Sequence, residues 1–160
     1  MNRHYTTKDY AKRVVDLRAR VPQIGIFADV IAGYPTETET DFETTYQFIK
    51  SQQLAGLHVF SYSPRPGTPA AALPQLSHEE IKRRADKLRE LDKQLRCNFA
   101  SSLVGTEQMV FVEERKSDAL HGITSNFQQV ILPKNCQTHG LVRVKIVRAE
   151  QQLCYGEICL

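Results

Sequence analysis

The stretch Ile24-Gly25-Ile26-Phe27-Ala28-Asp29-Val30-Ile31, closed by Gly33-Tyr34-Pro35, decides how the chain reads. Its almost continuous apolar run predicts a strand buried on both faces, as in a parallel sheet covered by helices. Upstream, Thr6 and Thr7 are candidate caps for a helix with Tyr10, Val14, Leu17 and Val21 at helical spacing, stopped by Pro22. Downstream, Thr40 and Glu43 have the spacing of a capping box for a second helix, with Phe42, Thr45, Tyr46 and Ile49 on one face. Leu57 to Tyr62 reads as another strand, running into the irregular Ser63-Pro64-Arg65-Pro66-Gly67-Thr68-Pro69. Helix, strand, helix, strand with short connections is a parallel β/α pattern over residues 1–76. So few elements do not close a β/α barrel, and this zone reads as the back end of something larger. Left alone, it would expose sheet edges and an uncovered apolar face, which invites association.

Two further zones follow. Residues 77–102 form a long linking helix, with Ser77 and Glu80 at capping-box spacing. Ile81, Ala85, Leu88, Leu91, Leu95 and Phe99 make its apolar stripe, and Lys82, Arg83, Lys87, Lys93 and Arg96 its solvated face. Residues 103–160 read as all-β, with short runs at 107–113, 120–124, 127–132, 140–148 and 153–159. Turn signals separate them at Lys116-Ser117-Asp118, Ser125-Asn126, Pro133-Lys134-Asn135 and Thr138-His139-Gly140. Five such strands predict a small closed or nearly closed barrel.

Composition bounds the function. The chain has 160 residues, 41% hydrophobic and 24% charged, without Trp, which is globular and neither disordered nor collagen-like. No apolar run approaches the ~20 residues of a membrane helix, and residues 1–20 are too charged for a secretory signal, so a cytoplasmic chain with no membrane partner is expected. The net charge of +3 permits a polyanion without demanding one, and residues 103–160 balance 6 basic against 6 acidic residues. Cys97, Cys136, Cys154 and Cys159 form no C-x-x-C pair and read as reduced thiols. His4, His58, His78, His121 and His139 are scattered, and His58, inside a strand, reads as a core histidine.

Three segments can carry chemistry. Asp29, Gly33 and Glu37 lie where a strand end runs into a helix N-terminus, the place where β/α proteins bind ligands. Gly33 would allow close backbone approach, and Glu37 would accept from sugar hydroxyls. The same residues also serve a plain turn, with Gly33 and Pro35 for the bend, Thr38 or Thr40 for capping and Glu37 for the helix dipole. Ser63 and Arg65 sit in a proline-stiffened loop past the second strand, where an arginine clamps a carboxylate or phosphate or simply stands in solvent. The β zone carries Arg115, Lys116, Lys134, Arg143, Lys145 and Arg148, of which Arg143 and Lys145 share a strand face, and Phe111 and Phe127 belong to the same zone. That set suits RNA or an ordinary solvated face.

Taken together, Met1-Asn2-Arg3-His4-Tyr5-Thr6, Asp29 through Thr38, and His58 through Ala70 resemble, in order and spacing, the radical-SAM methylthiotransferases. The resemblance runs from late in the catalytic barrel to the chain end and covers essentially all residues. It implies α/β plus all-β architecture: the C-terminal part of a radical-SAM β/α barrel (a partial TIM barrel) over 1–76, the linking helix over 77–102, and a small five-stranded, OB-like TRAM barrel over 103–160. It implies transfer of a methylthio group to the adenine C2 carbon of N6-threonylcarbamoyladenosine beside the tRNA anticodon. The stretch Leu57 to Ser63 and the segment Gly122 to Phe127 look most like the MtaB branch, while the isopentenyladenosine branch shares the Tyr-Ser-Pro-Arg-Pro-Gly-Thr motif of residues 62–68.

In that family the cofactors are S-adenosylmethionine and two 4Fe–4S clusters. The resemblance places Asp29, Gly33, Glu37, Ser63 and Arg65 at the S-adenosylmethionine and nucleoside end, and Arg143, Lys145 and Arg148 on the tRNA backbone. Two departures are Thr36 and Tyr34, where the family usually has Gly or Asn and Phe. The cluster motif C-x-x-x-C-x-x-C does not occur here, so no catalytic or metal-binding residue is assigned and the chain alone is expected to be inactive. Its expected partners are tRNA and the N-terminal half of the enzyme, with Met1 lying inside the family's Met-x-Arg-x-Tyr segment. The rivals are a stand-alone RNA-binding module acting through the barrel, and a fragment docking on a separately encoded N-terminal half.

Overall fold

The computed structural model describes residues 4–116, 119–133 and 140–159, with the backbone alone over 114–116. Met1-Asn2-Arg3, Ser117, Asp118 and residues 134–139, Lys134 and Cys136 among them, and the Arg115 and Lys116 side chains lie outside the described set. The chain divides into two compact units, one of residues up to Pro22 with Ile26–Leu95, the other of Gln23–Gly25 with residues from Arg96 onward.

The first unit contains α1 (Thr7–Arg20), β1 (Phe27–Ala32), α2 (Glu39–Gln52), β2 (Gly56–Ser61), a single 3-10 turn at Pro69–Ala72, and α3 (His78–Ser102) as far as Leu95. Strands β1 and β2 pair in parallel, from Phe27 opposite Gly56 to Ala32 opposite Ser61. Thr6 caps α1 in a reciprocal box with Asp9. The box of α2 joins Thr38 and Asp41 rather than Thr40 and Glu43. Thr40 lies inside the first turn, where its carbonyl accepts from Thr44 Oγ1 at 2.8 Å, and Glu43 accepts from Lys87 Nζ at 2.7 Å.

The core of this unit gathers Val14, Phe42, Ile49 and Leu57 with Ala85, Leu88, Leu91 and Leu95 of α3. Burying each large side chain contributes about 1.5–3 kcal/mol. Ala28, Val30 and Val59 pack against this core, whereas Ile31 and Phe60 are 39% and 53% exposed. The strand expected to be buried on both faces is therefore buried on one. His58, expected in the core, stands exposed on the open face, its ring 6.1 Å from that of Phe27. Leu17 and Val21 of the predicted α1 stripe likewise reach the surface.

The second unit is a closed barrel of β3 (Glu107–Lys116), β4 (Ala119–Thr124), β5 (Gln129–Leu132), β6 (Gly140–Glu150) and β7 (Leu153–Ile158), in the order β3-β4-β5-β7-β6. Every pairing is antiparallel except β5 with β7. Alternate residues point inward: Val110, Val112, Leu120, Val130, Leu132, Val144, Ile146 and Cys154, joined by Ala100 near the end of α3 and Leu103 just past it. The barrel is narrow, since a Cβ on Gly122 would lie 2.6 Å from Val110 Cγ1 and one on Gly156 would overlap Val144. Phe127, expected to begin a strand, lies instead in the turn before β5.

Candidate functional site

In the first unit the ends of β1 and β2 and the loop after β2 enclose a cavity of about 980 Å³. Asp29, Ser63 and Arg65 line it together, with Tyr34, Phe60 and Tyr62 among its aromatic walls. Parallel pairing extends past β2, because Tyr62 N donates to Ala32 O at 2.9 Å. The Tyr62 ring meets Tyr34 edge to face, with centroids 5.7 Å apart. Its hydroxyl is buried with no hydrogen-bond partner among the described residues. A buried hydroxyl left unpaired costs about 1–3 kcal/mol, which a polar ligand group in the cavity would offset. The loop carrying Arg65 is closed by Thr68, whose Oγ1 donates to Arg65 O at 2.8 Å.

Gly33 and Glu37 are placed differently. Gly33 has a φ of +78°, and a Cβ there would lie 2.6 Å from Ile81 Cγ1, so its missing side chain makes room for α3. Glu37 and Asp29 line a second, smaller cavity of about 510 Å³. Glu37 Oε2 accepts from Gly33 N at 3.3 Å and from Arg84 Nη1 at 2.6 Å. Arg84 also donates to Glu37 O at 2.8 Å and to Glu80 Oε1 at 2.6 Å. Ser77 Oγ accepts from Glu80 N, as its spacing predicts, but the Glu80 carboxylate takes Arg83 and Arg84.

Sequence reasoning missed Arg84. Its signal was position: three residues after Ile81 and four before Leu88, inside the apolar stripe, where a charge demands a partner. Its side chain is only 4% exposed. Asp92, four residues after Leu88, is a second such case, and its Oδ1 accepts from Leu57 N at 2.6 Å.

On the barrel, Arg143, Lys145 and Arg148 are all exposed on β6. A bulge between Ile146 and Arg148 brings Arg148 onto the outer face, which strict alternation from Arg143 and Lys145 would have denied it. Lys145 lies between Glu107 of β3 and Glu157 of β7 in the pairing register. The Arg148 guanidinium lies 3.8 Å from the Tyr155 ring centroid and donates to Glu150 Oε2 at 2.7 Å. Beside Arg143, the apolar Met109, Phe111 and Leu141 are 39%, 51% and 63% exposed.

The described residues offer no group of three or more His, Cys, Asp or Glu placed to hold a metal ion, so they do not fit an iron–sulfur cluster. No helix among them is long and apolar enough to cross a membrane.

No protein-family model matches the chain. Individual relatives do. The tRNA-2-methylthio-N(6)-dimethylallyladenosine synthase of Moorella thermoacetica is 39% identical over 99% of this chain, and that of Aquifex aeolicus 34% identical over the same share. The threonylcarbamoyladenosine tRNA methylthiotransferase MtaB of Bacillus subtilis is 36% identical over 93%. This chain belongs to the methylthiotransferase family. It spans 37%, 36% and 35% of the length of these three relatives. Their names carry two different modified adenosines, so membership of the family does not by itself choose the substrate.

Proposed function

We propose that the chain forms the late β/α portion and the β-barrel of a tRNA methylthiotransferase. Residues 1–76 would be the last part of a radical-SAM barrel, 77–102 the connecting helix, and 103–160 a TRAM-type barrel. The observation that carries this reading is identity of 34–39% sustained over 99% of the chain to relatives named for tRNA methylthio chemistry. The substrate is the adenine C2 carbon of an N6-modified adenosine beside the anticodon. Leu57 through Ser63 favours N6-threonylcarbamoyladenosine, the nucleoside in the name of the Bacillus relative. The second reading, the dimethylallyl (isopentenyl) adenosine, is favoured by the names of the Moorella and Aquifex relatives.

The large cavity fits S-adenosylmethionine in kind. Its aromatic walls suit a nucleoside, Asp29 and Ser63 offer acceptors, Arg65 suits a carboxylate, and the buried Tyr62 hydroxyl seeks a partner. When bound, S-adenosylmethionine supplies the methyl group and the deoxyadenosyl radical. Gly33 and Glu37 would shape the mouth of the site, Gly33 by admitting α3 and Glu37 by fastening the loop to Arg84. Arg143, Lys145 and Arg148 would neutralise tRNA phosphates. Catalysis would need the cluster-bearing remainder of the enzyme, so this chain alone is inactive.

Two measurements test this. Deleting the gene in its host and analysing tRNA nucleosides by mass spectrometry should remove the methylthio form of threonylcarbamoyladenosine. Loss of the dimethylallyl form instead would select the second reading, and loss of neither would overturn both. Alanine at Arg143, Lys145 or Arg148 should weaken tRNA binding and lower the salt slope by about one per residue. An unchanged slope would remove these residues from the RNA contact and leave the solvated-face reading.

A further inference from the structure

We infer that Phe127 is a stacking platform for an unpaired nucleobase, held outward by a rigid turn between β4 and β5. The inference rests on the proposed RNA contact of the barrel and adds to it the kind of base contact made.

The turn Thr124-Ser125-Asn126-Phe127-Gln128 inverts the usual arrangement of side chains. Its polar residues Thr124, Asn126 and Gln128 are 3%, 9% and 6% exposed, while Phe127 is 69% exposed. Phe127 also has a φ of +64°, a left-handed backbone that an aromatic residue adopts only at a steric cost and that Gly would relieve. Surface apolar area and backbone strain thus coincide at one residue, and strain retained in a well-held segment points to function.

The turn is well held. Thr124 N donates to Gln128 O and Phe127 N to Thr124 O, both at 3.0 Å, and Gln128 N to Thr124 Oγ1 at 2.8 Å. Asn126 Nδ2 donates to Gln23 O at 3.0 Å, and Gln108 Nε2 closes the buried network on Gln23 Oε1 at 2.6 Å. A backbone held this way loses little freedom when a base docks on it, which favours stacking. Gln128 Nε2 donates to Gln152 O at 2.7 Å, so the turn is tied to the β6–β7 connection that follows Arg148. Arg148, itself stacked on Tyr155, would meet the phosphate of a strand whose base lies on Phe127. Only an unpaired base presents an open face to such a ring, which makes the partner single-stranded.

The test uses the full chain, a short unstructured oligoadenylate and a blunt RNA duplex. The chain has no Trp, so Phe127→Trp places its one tryptophan, excited selectively at the red edge of the tyrosine absorption, at the site. It should bind the oligoadenylate like the parent, with its emission quenched. Phe127→Leu should lose about fivefold or more in oligoadenylate affinity, with duplex binding unchanged. Phe127→Gly should lose the same affinity while unfolding at an equal or higher temperature. Emission indifferent to bound RNA, or full affinity in the Leu variant, would overturn the inference. A Gly variant that unfolds earlier would assign Phe127 to the fold instead. If the parent chain binds neither RNA, the RNA reading of the barrel falls, and this inference with it.

Discussion

Arg84 holds Glu37 twice, by its backbone carbonyl at 2.8 Å and by its carboxylate at 2.6 Å. One guanidinium on α3 thereby fixes the loop that leaves β1, and the face of the Phe42 ring lies 5.3 Å from it. The fork geometry of arginine is what allows a carbonyl, Glu37 and Glu80 to be served at once.

Removing that guanidinium strands charge in a mostly buried place. Arg84→Met should therefore cost about 3–5 kcal/mol, read as a lower urea midpoint. Arg84→Lys should recover only part of the loss, because an ammonium cannot span the same acceptors. A Met variant as stable as the parent would make the network neutral.

Acid should loosen the same region. Hydrogen bonds from Arg83 and Arg84 hold the Glu80 carboxyl down from 4.5 to about 2. Hydrogen bonds from Thr38 lower Asp41 in the same direction. A carboxylate depressed by folding adds stability that is fully present above its ordinary value and fades as the pH falls through the folded one. Between pH 4.5 and about 2, unfolding midpoints should decline, and Glu80→Gln should decline less. Parallel curves for the two chains would take Glu80 out of the acid response.

A methyl group on Gly33 meets two obstacles, the +78° φ and Ile81 Cγ1 at 2.6 Å. Gly33→Ala should cost about 1–3 kcal/mol. Combining it with Ile81→Ala removes the overlap but not the backbone strain, so the double variant should lose less than the two single losses added together. Strict additivity in thermal unfolding would show that the contact does not matter.

Burial pushes the Cys154 thiol up to about 11, and its Sγ lies 3.5 Å from Ala100 O. Cys97 and Cys159 are partly exposed. Iodoacetamide at about pH 8, where an ordinary thiol begins to ionise, should label both before Cys154. Cys154 should react only after urea is added. Early labelling of Cys154, mapped by peptide mass spectrometry, would mean that the barrel opens readily.

The barrel strands and α3 were legible because their apolar residues recur at clean periods of two and of three to four, and Ser77 marks where α3 begins. What escaped had local causes. The run Thr36-Glu37-Thr38-Glu39-Thr40-Asp41-Phe42-Glu43 contains overlapping frames that all fit a capping box, and where β1 ends selects Thr38. The apolar composition of β1 hid its open face, because Ile31 and Val30 look alike in sequence although only Val30 packs on the core. A bulge, which no periodicity announces, set the face of Arg148. Of the site residues, Asp29, Ser63 and Arg65 converge on one cavity. The clamp on Glu37 depended on a residue 47 positions away.

The pairing of β5 with β7 has a consequence for how the chain emerges from the ribosome. That parallel seam closes the barrel, and β7 is its last strand to be made. Val130 must wait for Cys154, with β6 already in place between them in the chain. Gln23 waits longer still, since its partners Gln108 and Asn126 follow it by 85 and 103 residues. The three residues Gln23–Gly25 are thus made long before the barrel they belong to.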